Sequence, residues 1–235
     1  MESERGHMRA QTYRILIGAT GWLHPGWQDS FYPVDLPDDW KIAFYGNEFP
    51  VVLVPADVWE TGPLPVQEWL DNCEQSFSFL LELPVTFINE IAIDDASGRS
   101  RLADVTNTLS SLGEHCLGLV LPGKGVADDR MQRCCEKLRS ICPLVIDEGS
   151  DEKTRNLVIN CTYCWHGDGE KPHFETGQLA LIRIIGKQMD MKALRRVMET
   201  GLKNIQADQS LILIFDDPLP DIEQMENAGI LLDLL

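Results

Sequence analysis

Six carboxylates, Asp57, Glu82, Asp147, Glu148, Asp216 and Asp217, each lie at or just past the end of a short apolar run. Oxygen ligands brought to one place suit Mg²⁺, Mn²⁺ or Ca²⁺, and Asp57, Glu82, Asp147 and Asp217 form the candidate set for such an ion. Two carboxyls in contact could also divide acid and base roles, because mutual repulsion splits their pKa values. Acids are 37 of the 235 residues, so composition alone also places several of them after apolar runs.

A second group mixes thiols with imidazoles. Cys161 and Cys164 stand in a Cys-x₂-Cys spacing, with His166 two residues on and His173 seven beyond that. Thiolate and neutral imidazole match the borderline softness of zinc, and iron is a second candidate. The Cys-x-His and His-x₆-His intervals are not finger spacings, so a structural cysteine followed by a solvated loop is the plain alternative. A Cys161–Cys164 redox pair would lack the helix N-terminus that lowers a thiol pKa.

Arg183, with Gly186 and Lys187 just after it, is a candidate anion site, since a guanidinium clamps carboxylate or phosphate bidentately. The competing reading neutralises Arg183 internally with Glu82 or Asp216, because an unpaired buried guanidinium is too costly to keep. A dense aromatic stretch holds Trp22, His24, Trp27, Phe31 and Tyr32, where Trp22, His24 and Trp27 could stack a flat ligand or plug a barrel. His24 lies in that stretch and carries the one side-chain type that titrates near neutral pH unperturbed. No nucleophile elbow, Walker loop, dinucleotide glycine pattern or His-Glu-x-x-His helix occurs.

What would position these groups is a rhythm of short apolar runs. Eight recur: Arg14–Gly18, Val51–Val54, Phe77–Leu83, Leu117–Leu121, Leu144–Ile146, Leu157–Cys161, Leu179–Ile185 and Leu211–Phe215. Nearly continuous runs of Val, Ile, Leu and Phe read as strands buried on both faces, the habit of parallel sheets. Between them, apolar residues fall three or four apart: Val66 to Cys73, Leu102 to Leu112, Met131 to Ile141, Met191 to Ile205, and from Ile222 onward. Each stripe reads as a helix laid on the sheet. Eight such repeats predict a single TIM-like (β/α)₈ barrel of the α/β class over residues 11–235, with residues 1–10 outside the fold. The connection from Asp147 to Asn156 is short, and Thr162–Gln178 carries no apolar stripe, so the helical layer should be reduced around strands 5 and 6. Apolar surface left on that flank would seek a homodimer or another protein partner.

Lys and Arg number 20 against 37 acids, a formal charge of −17, which argues against nucleic acid and anionic lipid as partners. No apolar run approaches the length of a membrane span. The N-terminal Met1–Met8 stretch has no apolar core and so does not read as a secretory signal; Gly6-His7-Met8 has the look of a cloning remnant. Seven cysteines, an odd number without an export signal, fit a reducing cytoplasm.

Ile17-Gly18-Ala19-Thr20-Gly21-Trp22, then Pro25-Gly26-Trp27, Phe31-Tyr32-Pro33 and Leu36-Pro37-Asp38-Asp39-Trp40, resemble the opening of the YecE-like family (domain of unknown function 72). That family begins I-G-T-S-G-W, P-x-W, F-Y-P and L-P-x-x-W in this order. The resemblance implies a TIM-barrel-like fold and brings no settled activity. The departures lie at strand ends. Val52-Leu53-Val54-Pro55 stands where the family usually has V-E-x-N, Glu82 replaces a lysine, and the histidine of R-x-H-G is Ile185, while Arg183 is retained. The C-terminal strand ends are where barrel enzymes keep their chemistry, so these departures imply a lost or altered activity. The expectation is a non-catalytic or altered barrel that binds a partner protein or a small ligand, anions among the candidates, at its C-terminal mouth. The alternative is a metal-assisted hydrolase or isomerase using the acidic strand ends.

Overall fold

Val, Ile, Leu and Phe fill a pleated surface well, and all but one of the eight apolar runs overlap strands. They are β1 (Arg14–Thr20), β2 (Val51–Val54), β3 (Ser78–Glu82), β4 (Cys116–Pro122), β5 (Leu144–Asp147), β6 (Thr162–Tyr163), β7 (Ala180–Ile185) and β8 (Ser210–Asp216). The computed structural model describes residues 14–147, 162–167, 172, 174, 179–186, 188–206 and 209–235. The exception is the sixth run, Leu157–Cys161, which lies outside the described residues; β6 pairs at the two residues directly after it.

Every strand pair is parallel, in the order β6-β5-β4-β3-β2-β1-β8-β7. The open edges β6 and β7 meet through Trp165. Its N–H donates to Leu181 O at 3.0 Å, and its carbonyl accepts from Arg183 N at 2.9 Å. These bonds draw the sheet into a nearly closed barrel, which removes most of the edge that an open parallel sheet would expose.

Outside the sheet lie α1 (Lys41–Glu48), α2 (Val66–Asn72), α3 (Val85–Ile91), α4 (Ala96–Leu112), α5 (Asp128–Leu138), α6 (Met191–Asn204) and α7 (Ile222–Leu232). Their apolar stripes face the strands: Val105, Leu109 and Leu112 on α4, Met131, Cys134 and Leu138 on α5, Leu194, Val197 and Met198 on α6. Asp95, Asp190 and Asp221 cap α4, α6 and α7 by accepting backbone N–H groups of the first turn, each worth about 1 kcal/mol. The expected thinning of this layer beside strands 5 and 6, and the partner surface placed there, fall mostly outside the described residues.

Inside, Leu53, Leu80, Val120, Val145, Leu181 and Ile214 form an apolar core separate from the strand–helix core. Fully burying such a side chain stabilises the fold by about 1.5–3 kcal/mol. At Gly18 the first two strands come too close for a side chain, since a Cβ would stand 1.8 Å from Val51 O. The Tyr45 hydroxyl bridges there, accepting from Ala19 N at 2.7 Å and donating to Val51 O at 3.0 Å. That explains why a glycine interrupts an otherwise apolar β1. No helix among the described residues is long and apolar enough to cross a membrane.

Candidate functional site

Side chains along a strand alternate faces, so the residue two beyond an interior one points inward again. Two positions after Leu80, Val145, Leu181 and Ile214 come Glu82, Asp147, Arg183 and Asp216, at the C-terminal ends of β3, β5, β7 and β8. The pleat therefore converts an apolar floor into a charged layer in one step.

Arg183 is the hub of that layer. Its Nε donates to Asp216 Oδ2 at 2.6 Å, and its Nη1 donates to Glu82 Oε1 at 2.8 Å and to Asp147 Oδ2 at 2.7 Å. The planar guanidinium fork fixes three carboxylates from three strands. Burial works against the Arg183 charge, but Glu82, Asp216 and Asp147 overcome it and hold the pKa above the usual arginine value. The internal neutralisation expected with Glu82 or Asp216 takes in both, and Asp147 as well. With the carboxylates ionised, this cluster carries a formal charge of −2. Three carboxylates thus occupy the Nε and Nη1 positions of the fork.

Beyond β6 the chain stays extended, with Cys164 N donating to Ile146 O at 2.9 Å. Cys164 belongs to the inner core, and His166, two residues on, reaches the mouth. His166 Nε2 lies 2.9 Å from Asp147 Oδ1, so the ring donates from Nε2 to the ionised carboxylate. The ligand atoms of Asp147, Cys164 and His166 all fall within 4.8 Å of one another, the one such trio of His, Cys, Asp or Glu among the described residues. Burial and then the Asp147 charge raise the Cys164 pKa well above the usual thiol value, with Arg183 opposing. Left alone, this thiol is protonated and inert; a metal ligand must lose that proton.

The structure thus divides the two expected ligand sets and recombines them. Of Asp57, Glu82, Asp147 and Asp217, only Glu82 and Asp147 join the Arg183 hub, while Asp57 and Asp217 line a neighbouring cleft. Those four acids are therefore not one coordination sphere. Their strands differ in how far the pleat carries each carboxylate: Glu82 and Asp147 end interior rows, whereas Asp57 lies past Pro55 in a short helical turn and Asp217 lies one residue out of phase with Asp216. Of the Cys161, Cys164, His166 and His173 set, Cys164 and His166 come together, and Cys161 and His173 lie outside the described residues, as does Lys187. Sequence reasoning assigned Asp147 to one set and Cys164 and His166 to the other. The signal that joins them was present: Cys164 and His166 alternate on the extended segment directly after the strand that pairs with Asp147's own.

The aromatic stretch serves two roles. Trp27 is buried, donates from Nε1 to Pro220 O at 2.9 Å and stacks nearly parallel to Tyr45, so it packs the barrel shoulder. Trp22 and His24 instead line a 520 Å³ cleft at the ends of β1 and β2, with Asp57 and Asp217. A larger cavity, 770 Å³, lies between α2 and α4 in the outer layer.

The profile of a family described as "Protein of unknown function DUF72" matches residues 16–147, more than half of the chain. A crystal structure of a DUF72 family protein from Thermotoga maritima MSB8 is similar with a TM-score of 0.67 at 12% identity, covering 94% of this chain and 100% of that one. A D-psicose 3-epimerase, crystallised with D-fructose, gives a TM-score of 0.46 at 13% identity, covering 93% of this chain and 98% of that one. A D-tagatose 3-epimerase-like protein gives 0.48 at 8% identity over 79% of this chain and 88% of that one. No curated protein sequence matches the chain.

Proposed function

The chain belongs to the DUF72 family, whose description assigns no activity, and from that premise we propose that its barrel mouth binds one zinc-class divalent cation through Asp147, Cys164 and His166, for use on a small molecule. The observation that carries this reading is the convergence of a carboxylate, a thiol and an imidazole within 4.8 Å beside a cluster of formal charge −2. A divalent ion with Cys164 as thiolate would bring these residues from −2 to −1, nearer neutrality than without it. Three protein ligands leave one tetrahedral position for water or a carbonyl oxygen, the arrangement of catalytic zinc. The chemistry that follows is metal-assisted hydrolysis or isomerisation. Arg183 positions Asp147 for this work through the 2.7 Å bond from Nη1.

Metal analysis of the full chain, purified without chelator, tests the reading together with thermal melting in added zinc chloride. About one zinc per chain and a raised Tm are expected, with both lost in His166→Ala. If no divalent ion binds and zinc leaves Tm unchanged, the metal reading is wrong. A second reading, a non-catalytic ligand-binding barrel, then takes its place. It is favoured by Arg183, whose Nε and Nη1 are held by Glu82, Asp147 and Asp216, and by Cys164, whose burial opposes loss of the thiol proton.

A further inference from the structure

We propose that the 520 Å³ cleft at the ends of β1 and β2 is a binding site for a small organic ammonium ion, an amine with an apolar or aromatic body. The proposal stands on other side chains than the metal reading and does not depend on it. The volume lies in the range of pockets that enclose a drug-sized ligand.

Five carboxylates, Asp38, Asp39, Asp57, Glu68 and Asp217, line this cleft with no lysine or arginine among its lining residues. Asp38 is paired with Lys41 at 2.7 Å, but the other four make no ion pair among the described residues. The acids come from separate segments: the loop before α1, the turn after β2, α2 and the end of β8. Chain folding, not a run in the sequence, has brought like charges to one concavity. They repel one another there, and a cation relieves that repulsion.

The second observation is the apolar floor. Trp22 and Trp69 pack edge to face with centroids 5.3 Å apart, and both line the cleft beside Ile42. Indole faces attract ammonium groups and also accept an apolar body, so acid rim and aromatic floor ask for one kind of molecule. Thr20 Oγ1, also on the wall, is buried and has no hydrogen-bond partner among the described residues. His24 Nε2 lies 2.8 Å from Thr20 O and donates to it, so this ring nitrogen is bonded to the backbone and not to a carboxylate of the cleft. An anion would be repelled by five carboxylates here, and a neutral analogue would leave them without a counter-charge.

Three probes of one shape separate the possibilities: 2-phenylethylamine, neutral 2-phenylethanol and anionic 3-phenylpropionate. Each is titrated by calorimetry into the full chain with EDTA present, so a failed metal site does not alter the result. The amine should bind saturably, the alcohol at least tenfold more weakly and the carboxylate not at all. Asp57→Asn and Asp217→Asn should each weaken amine binding about tenfold, whereas Glu114→Gln, an exposed acid elsewhere, should leave it unchanged. No amine binding, equal binding of all three probes, or an equal loss in Glu114→Gln would overturn the proposal.

Discussion

Two acidic regions share the C-terminal end of this barrel and handle charge in opposite ways. At the hub, Glu82, Asp147 and Asp216 spend their charge on Arg183. In the cleft, Asp39, Asp57, Glu68 and Asp217 have no cationic partner among the described residues. Adjacent residues fall on either side of this divide, since Asp216 bonds Arg183 while Asp217 lines the cleft. The lesson is that acidity at a barrel mouth is not one property. Carboxylates tied to a buried guanidinium hold strands together, and those left facing a concavity are the ones available to a ligand.

The harshest way to break the comparison is Arg183→Met. It leaves three carboxylates buried together without a cation, and it should cost about 3–5 kcal/mol in urea unfolding. Next, Glu82→Gln should lose about 1–3 kcal/mol, while Asp57→Asn should stay within about 0.5 kcal/mol of the parent. Equal losses at the two positions would erase the distinction between hub and cleft. Salt sharpens it further: raising NaCl to about 1 M should weaken amine binding at the cleft several-fold while leaving the buried hub in place, seen as an unchanged Tm difference between parent and Glu82→Gln.

The smallest effect comes from thiols on α5 and at the N-terminal ends of β4 and β5, away from the acidic C-terminal strand ends. Burial pushes Cys116 up to about 11 and Cys134 and Cys142 up to about 12, from a usual 9.0. A pKa raised in the folded state means that the unfolded chain ionises first as pH climbs. Their contribution is therefore complete below about pH 9 and lost progressively toward pH 12. Urea midpoints across that window should fall, and by less in Cys142→Ala.

The barrel was legible because continuous apolar runs and intervening helical stripes both follow from burial, which sequence records directly. Helices α1 and α3 were not picked out. Ile42, Tyr45 and Phe49 do carry a stripe, but they follow an aromatic stretch read as a plug, and the seven residues of α3 directly after Pro84 are too few to show a period. An internal partner for Arg183 was legible from desolvation cost alone. That Asp147 joins Glu82 and Asp216 was not, because it depends on how barrel curvature carries the end of β5 toward β7. The family's usual lysine at position 82 gains a meaning here: as Glu82 it supplies one of the carboxylates that enclose Arg183.

Cobalt(II) titration of the full chain, parent beside Cys164→Ser, bears most directly on the metal reading of the mouth. Tetrahedral coordination with a thiolate predicts one equivalent of cobalt, intense visible bands and a sulfur-to-metal charge-transfer band that disappears in the serine variant. Identical spectra from parent and variant, or no bound cobalt in either, would contradict it.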